Sequence, residues 1–167
     1  DVSSEDWFFT AATTLAKAGI VEGRPDGQFA PADTITRGEF AAMAARFLSK
    51  TYTGENHFSD VEGHWAAEYV DRAAQAGWIK GYPDGTFRPD DYITRAEAIS
   101  LVNAVLGRAP HKEHLLDGMI TWPDNMDEAT WYYLDIQEAT NSHKHTWQTV
   151  NGERVEVWTT LLEGEGT

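Results

Sequence analysis

Two arginines stand where a cation is least expected. Arg37 and Arg95 each follow a threonine and precede a glutamate, in Ile-Thr-Arg-Gly-Glu (35–39) and Ile-Thr-Arg-Ala-Glu (93–97). Threonine with glutamate three residues on is the capping box of a helix N-terminus. Thr36 and Thr94 would accept from the amide three residues ahead, while Glu39 and Glu97 reach back to the cap's own N–H. The arginines then fall in the first helical turn, where the macrodipole disfavours positive charge. A cation beside first-turn amides that the cap leaves unused is an arrangement that binds an anion. The competing reading is an ion pair with a carboxylate of the same chain. Carboxylates are plentiful, with 27 acidic residues against 13 basic ones and a net charge of −14. The residues alone leave both readings open.

That charge also bounds the partners. A chain so acidic repels nucleic acid and anionic membrane at long range, so neither is expected, and an anionic ligand must be caught locally by a few fixed cations. Cysteine is absent, which excludes thiol catalysis, disulfides and Cys-type zinc sites. No apolar run approaches the roughly 18 residues of a membrane span. A hydrophobic content of 41% is that of a globular chain, and seven tryptophans favour positions with one edge packed and another wet. No initiator methionine opens the 167 residues and residue 1 falls inside a repeat, so the chain reads as an excised or mature piece of something longer.

The elements that must position the arginines are written twice. GIVEGRPDGQFAPADTITRGEF (19–40) aligns without gaps on GWIKGYPDGTFRPDDYITRAEA (77–98), 58 positions on. Each is preceded by a helical pattern in which Trp7 aligns with Trp65. A third opening, WPDNMDEATWYYLDIQEATNSH (122–143), sets Trp122, Asp124 and Trp131 where the second has Phe58, Asp60 and Trp65. No glycine-rich loop follows it; TWQTVNGERVEVW (146–158) instead predicts a β-hairpin turning at Asn151-Gly152. Each full unit thus reads helix, loop, helix. The second helix carries an apolar stripe at Phe40, Met43, Ala44 and Phe47, or at Ala98, Leu101, Val102 and Val105. Pro-Asp-Gly is turn chemistry, and Phe29 and Phe87 would pin each loop to the core. Linkers are expected at 49–56 and 107–118. Units this small must pack on one another.

These phrases together resemble the S-layer homology (SLH) module: an aromatic-x-Asp-Val start, a tryptophan helix, Gly-x-x-x-Gly-x-Pro-Asp-Gly-x-Phe-x-Pro, and Ile-Thr-Arg-x-Glu. The resemblance covers two full repeats and a degenerate third, bounded at 1–48, 57–107 and 120–162, the last with the C-terminal hairpin. It implies a mainly α fold of helix-loop-helix repeats packed as a pseudo-threefold bundle with ligand grooves between neighbours. It further implies a secreted domain at the bacterial cell surface, in the cell wall or S-layer. Such a domain anchors the rest of its parent surface protein to a secondary cell-wall polysaccharide, typically pyruvylated, without covalent bonds. The family's ligand arginine carries over to Arg37 and Arg95, and a pyruvate ketal supplies the anion.

Sugar binding also needs apolar faces and planar hydrogen-bonding groups, and Trp65, Trp131, Asp60, Asp124, Gly23, Arg24, Gly81 and Tyr82 are the candidates. Helical spacing favours packing core for the two tryptophans, and Asp60 and Asp124 read equally as helix caps. Since the third unit lacks the arginine half, two competent sites at most are expected.

Other chemistries carry less. His111 with His114, and His143 with His145, are paired without a zinc-site motif, so no metal and no cofactor is expected. Calcium on Asp84, Asp90 and Asp91 lacks the loop pattern, and turn-forming aspartates explain them. Glu97 with Asp60 could in principle serve a glycoside hydrolase. The capping box already explains the glutamate, and an enzyme is not expected. A module for self-assembly without glycan remains the alternative.

Overall fold

The computed structural model describes residues 1–48, 54–55 and 57–162. Its elements are α1 (Phe9–Lys17), α2 (Arg37–Ala45), α3 (Ala67–Gln75), α4 (Arg95–Leu106), a 3-10 turn (Lys112–His114), α5 (Tyr133–Thr140), β1 (His143–Val150) and β2 (Glu153–Leu161). Helices take 32% of the described residues, and the strands form one antiparallel pair. Two compact units result, Asp1–Ile93 and Thr94–Thr167. The linker expected at 49–56 lies largely outside the described residues.

In the first unit α2 packs on α3 around Ala41, Val61, Ala66, Val70 and Phe87. Thr36 opens α2 with both halves of the capping box in place. The buried face of this helix is Gly38, Ala41, Ala42, Ala44 and Ala45. The predicted stripe is therefore corrected: Ala44 belongs to it, Phe40 and Met43 lie at its flank, and Phe47 is exposed. Close approach is the reason. A Cβ on Gly38 would stand 3.0 Å from the Pro89 carbonyl oxygen and 3.3 Å from the Ala66 methyl, so only small residues fit on that side.

Both Pro-Asp-Gly loops close in the same way. The amides of Arg24 and Tyr82 donate to the carbonyls of Gln28 and Thr86 at 2.7 and 2.8 Å, and Gly27 and Gly85 take positive φ. The loops continue through Ala30 (φ 55°) and Arg88 (φ 59°), non-glycine residues in the left-handed region. Such a conformation persists when its surroundings over-determine it. Here an aspartate at the start of the same repeat does so. Asp1 accepts from the amides of Phe29 and Ala30 at 2.9 and 2.6 Å. Asp60 accepts from those of Phe87 and Arg88 at 2.8 and 2.7 Å.

In the second unit α4 begins with its own capping box at Thr94 and Glu97 and ends at Gly107 with φ 68°. It is fastened to α5 by polar contacts: Ser100 donates to Asp135 Oδ2 at 2.6 Å, and Asn103 Nδ2 donates to Asp135 Oδ1 and its carbonyl. Of the predicted stripe Leu101 is buried and Val102 is exposed; Asn103 takes a buried place instead. The hairpin turns where predicted, with positive φ at both Asn151 (52°) and Gly152 (87°), as a two-residue turn of this kind requires. Its register shifts between Lys144 and His145.

Candidate functional site

The two arginines meet different surroundings. Arg37 is buried, only 7% exposed. Its Nε donates to the Phe87 carbonyl at 2.8 Å, and its guanidinium lies 4.7 Å from the Phe87 ring centroid and 4.9 Å from that of Tyr82. The first-turn amides of α2 are occupied as well. Arg37 N donates to the Asp91 carbonyl and Gly38 N to that of Pro89, each at 2.8 Å. Glu39 N donates to Thr36 Oγ1 and Phe40 N to the Thr36 carbonyl. The unused amides expected at this terminus are thus engaged by the chain's own carbonyls, because the 87–91 segment is laid across it.

Arg95 is exposed, and neither it nor Ala96 has a hydrogen bond or ion pair outside the helix with any other described residue. Only Thr94, Glu97 and Ala98 use the cap. The N-terminus of α4 therefore holds an exposed guanidinium beside the amides of residues 95 and 96, which bond no other described residue. Cation, donors and positive dipole end coincide there.

The tryptophans are not core. Trp65 is 58% exposed and Trp131 65%, which overturns the packing expectation. Each sits two residues before the first residue of its helix, α3 or α5, in the preceding turn. Outside the helix the helical spacing does not apply. Trp7 occupies the same position before α1 and is 94% exposed. Its alignment with Trp65 was the signal for it.

Nor are Asp60 and Asp124 helix caps: α3 and α5 are capped by Ala66 and Tyr132 without side-chain bonds. Asp60 is the loop clamp, whereas Asp124 is exposed and belongs to a repeat without a loop to clamp.

The loop residues are held by the chain itself. A Cβ on Gly81 would overlap the Phe58 ring and the Thr86 carbonyl, and one on Gly23 would lie 3.0 Å from the Gln28 carbonyl. These glycines admit the protein's own packing. Arg24 pairs with Asp33 at 2.6 Å, both half exposed. Tyr82 lies against two guanidiniums, that of Arg37 and that of Arg88 at 4.0 Å. Arg88 stands where the first repeat has Ala30, so repetition gave no signal for it. Arg88 in turn pairs with Asp84 at 2.9 Å. Bonds from Thr86, then Arg88, hold the Asp84 carboxyl down at about 2. The structure thus gathers Arg37, Tyr82, Gly81 and Asp60 around one loop, with Trp65 on a nearby turn of that unit; Arg95, Asp124 and Trp131 belong to the second unit.

Comparison with known proteins agrees on one family. The sequence profile of the S-layer homology domain matches residues 1–41 and 57–99. The "Cellulosome-anchoring protein" of Acetivibrio thermocellus is 36% identical over 163 residues, 94% of this chain and 35% of that protein. "Cell surface glycoprotein 1" of the same organism is 34% identical over 157 residues, 87% of this chain and 7% of that one. The "Amylopullulanase" of Thermoanaerobacterium thermosulfurigenes is 38% identical over 133 residues, 76% of this chain and 7% of the enzyme. The chain spans only a small part of the length of these relatives. Among the described residues, no helix is long and apolar enough to cross a membrane.

Proposed function

The chain belongs to the S-layer homology domain family, and from that premise we propose that it is a non-catalytic anchoring module of the bacterial cell surface. It holds a larger protein to the wall by binding an anionic secondary cell-wall polysaccharide. The observation that carries this reading is Arg95: exposed, without an ion partner among the described residues, beside two unused amides at the start of α4. A carboxylate on a sugar, such as that of a pyruvate ketal, matches a guanidinium with two acceptor oxygens and takes the amides as further donors. With a net charge of −14, the chain exerts no general pull on such a polymer, so capture is local.

The other candidates divide into contact and support. Trp65 and Trp131 offer exposed indole faces to sugar rings, Asp124 offers a carboxylate to hydroxyls, and Tyr82 and Arg24 form a planar and polar rim. Arg37, Asp60, Gly23 and Gly81 shape the loops that carry that rim. The relatives named for anchoring and for the cell surface favour this reading. The division at 1–48, 57–107 and 120–162, and a pseudo-threefold packing of the three, belong to the same proposal; a tryptophan at the same turn in all three units supports it. Asp60 and Glu97, the carboxylates that a hydrolase would need, are each bonded to backbone amides of the chain.

Calorimetric titration with purified wall polysaccharide, native and stripped of pyruvate, tests the reading. Binding to the native form alone is expected, and Arg95→Ala should weaken it by at least about tenfold, as loss of a charge-assisted hydrogen bond does. Equal binding of both forms would remove the carboxylate as determinant. Binding of neither, with concentration-dependent self-association in sedimentation, would replace anchoring by self-assembly.

A further inference from the structure

The hairpin that replaces the third loop buries an unusual set of side chains. His143 on β1 has a side chain 4% exposed, Glu156 on β2 is fully buried, and His145 is 23% exposed. His143 Nδ1 lies 2.7 Å from the Asn141 carbonyl oxygen. A carbonyl only accepts, so Nδ1 carries the hydrogen, and in the neutral form of the ring the lone pair lies at Nε2. That lone pair faces Glu138 Oε1 at 3.4 Å and Glu156 Oε2 at 3.6 Å. With the ring neutral, an acceptor looks onto two more acceptors. His143 Nε2 and Glu156 Oε2 are both buried without a hydrogen-bond partner among the described residues. Arg108 Nη1, 3.6–3.7 Å from the two carboxylates, is too distant to satisfy them by hydrogen bonds. A cation bound directly by these atoms would satisfy them as the more distant guanidinium does not.

We propose that His143 Nε2, His145 Nδ1 and Glu156 Oε2 form a binding site for a divalent cation of the zinc class. One ligand atom from each of these three residues lies within 4.8 Å of the other two. Ligand atoms of a tetrahedral zinc at about 2.1 Å stand roughly 3.4 Å apart. Here His145 Nδ1 is 3.3 Å and His143 Nε2 3.6 Å from Glu156 Oε2, so both histidine–carboxylate edges are already close to that value. Two imidazoles and a carboxylate are a donor set that zinc accepts, with the fourth position left to water or to Glu138.

The outer shell is that of a metal ligand too. A ligating histidine donates its other N–H to a carbonyl or carboxylate, which fixes the tautomer; His143 does so to Asn141. Its ring is stacked on Trp158 at 4.0 Å between centroids, and Trp158 Nε1 donates to Glu138 Oε2 at 3.1 Å. Part-exposed His145 gives the ion a way in. The sequence showed the two histidines but not their third partner, because Glu156 reaches them only through the hairpin.

The test is titration of the full chain, without a histidine tag, with Zn²⁺ by calorimetry and with Co²⁺ by visible absorption. One equivalent should bind at micromolar affinity or tighter, with the intense absorption of four-coordinate cobalt and a rise in Tm. Imidazole ¹⁵N shifts should move at His143 Nε2 and His145 Nδ1. His145→Ala, which alters the least buried ligand, and Glu156→Gln should each weaken binding by tenfold or more. His111→Ala and His114→Ala should leave it unchanged. Absence of binding at about 100 μM zinc, far above the range of structural zinc sites, would overturn the proposal in favour of a proton shared between Glu138 and His143. Undiminished binding in the His145 variant, or unmoved ¹⁵N shifts, would overturn it equally.

Discussion

The starts of α2 and α4 are the same phrase in two situations. Both carry Thr-Arg-x-Glu and both form the full capping box. At α2 the 87–91 segment lies across the helix end, takes the amides of residues 37 and 38, and buries the arginine against Phe87 and Tyr82. At α4 the arginine is exposed and the amides of residues 95 and 96 bond no other described residue. The repeat that follows α4 has a hairpin in place of a glycine loop. A motif fixes what a residue is able to do, and the segment laid over it decides what it does. Identical letters thus yield one brace and one candidate anion site.

The largest expected effect comes from removing the room that lets the loop over α2 form. Gly81→Ala forces a methyl into the Phe58 ring and the Thr86 carbonyl and should cost about 3 kcal/mol in urea unfolding, at the upper end for overpacking. If it costs nothing, the loop does not pack as closely on Phe58 and Thr86 as Gly81 allows.

Next is the clamp. Asp60→Ala frees two amides bonded to a carboxylate and should cost about 2 kcal/mol. Asp124→Ala, at the matching position of the third repeat, should stay within about 0.5 kcal/mol. Equal costs would erase the distinction between a repeat with a loop and one without.

The arginines themselves should cross over. Arg37→Ala should destabilise by about 1.5 kcal/mol through its lost buried hydrogen bond and ring contacts. Arg95→Ala should leave stability within about 0.5 kcal/mol and yet be the variant that loses polysaccharide. Parallel losses in both assays would mean that the two helix starts do the same work.

The smallest effect is a titration. The Asp84 carboxyl is depressed from 3.8 to about 2, so its contribution to the loop is fully present above the ordinary value and fades as pH falls towards 2. Carboxyl NMR shifts should show this midpoint. Arg88→Ala should raise it only part of the way, because the bonds from Thr86 are the larger causes and remain.

What was legible in the sequence is local. The capping boxes, the two Pro-Asp-Gly turns and the Asn151-Gly152 hairpin each follow from residues within a few positions of one another, and each formed where expected. Two kinds of feature were not legible. The buried face of α2 consists of alanines and Gly38, because a close backbone crossing at Pro89 excludes the larger residues that a hydrophobic stripe would favour. The tryptophans aligned like core residues, but stand in turns just ahead of their helices. In the same way Arg37 and Arg95 differ through the segments around them, and His143 meets Glu156 only through strand pairing with a shifted register at residues 144 and 145.

The aspartate clamp has a consequence for how such a chain is put together. Asp1 reaches its loop across 28 and 29 residues, and Asp60 across 27 and 28, whereas Arg37 meets Phe87 across 50. Closing the shorter loop costs less chain entropy. In the first two repeats the latch is thus a local contact within the repeat, and the contact of one repeat with the next is the more distant one. A unit that carries its own latch can be copied, lost or rewritten in its second half while its neighbour's loop stays closed. What the neighbour gives up is the cover over its arginine.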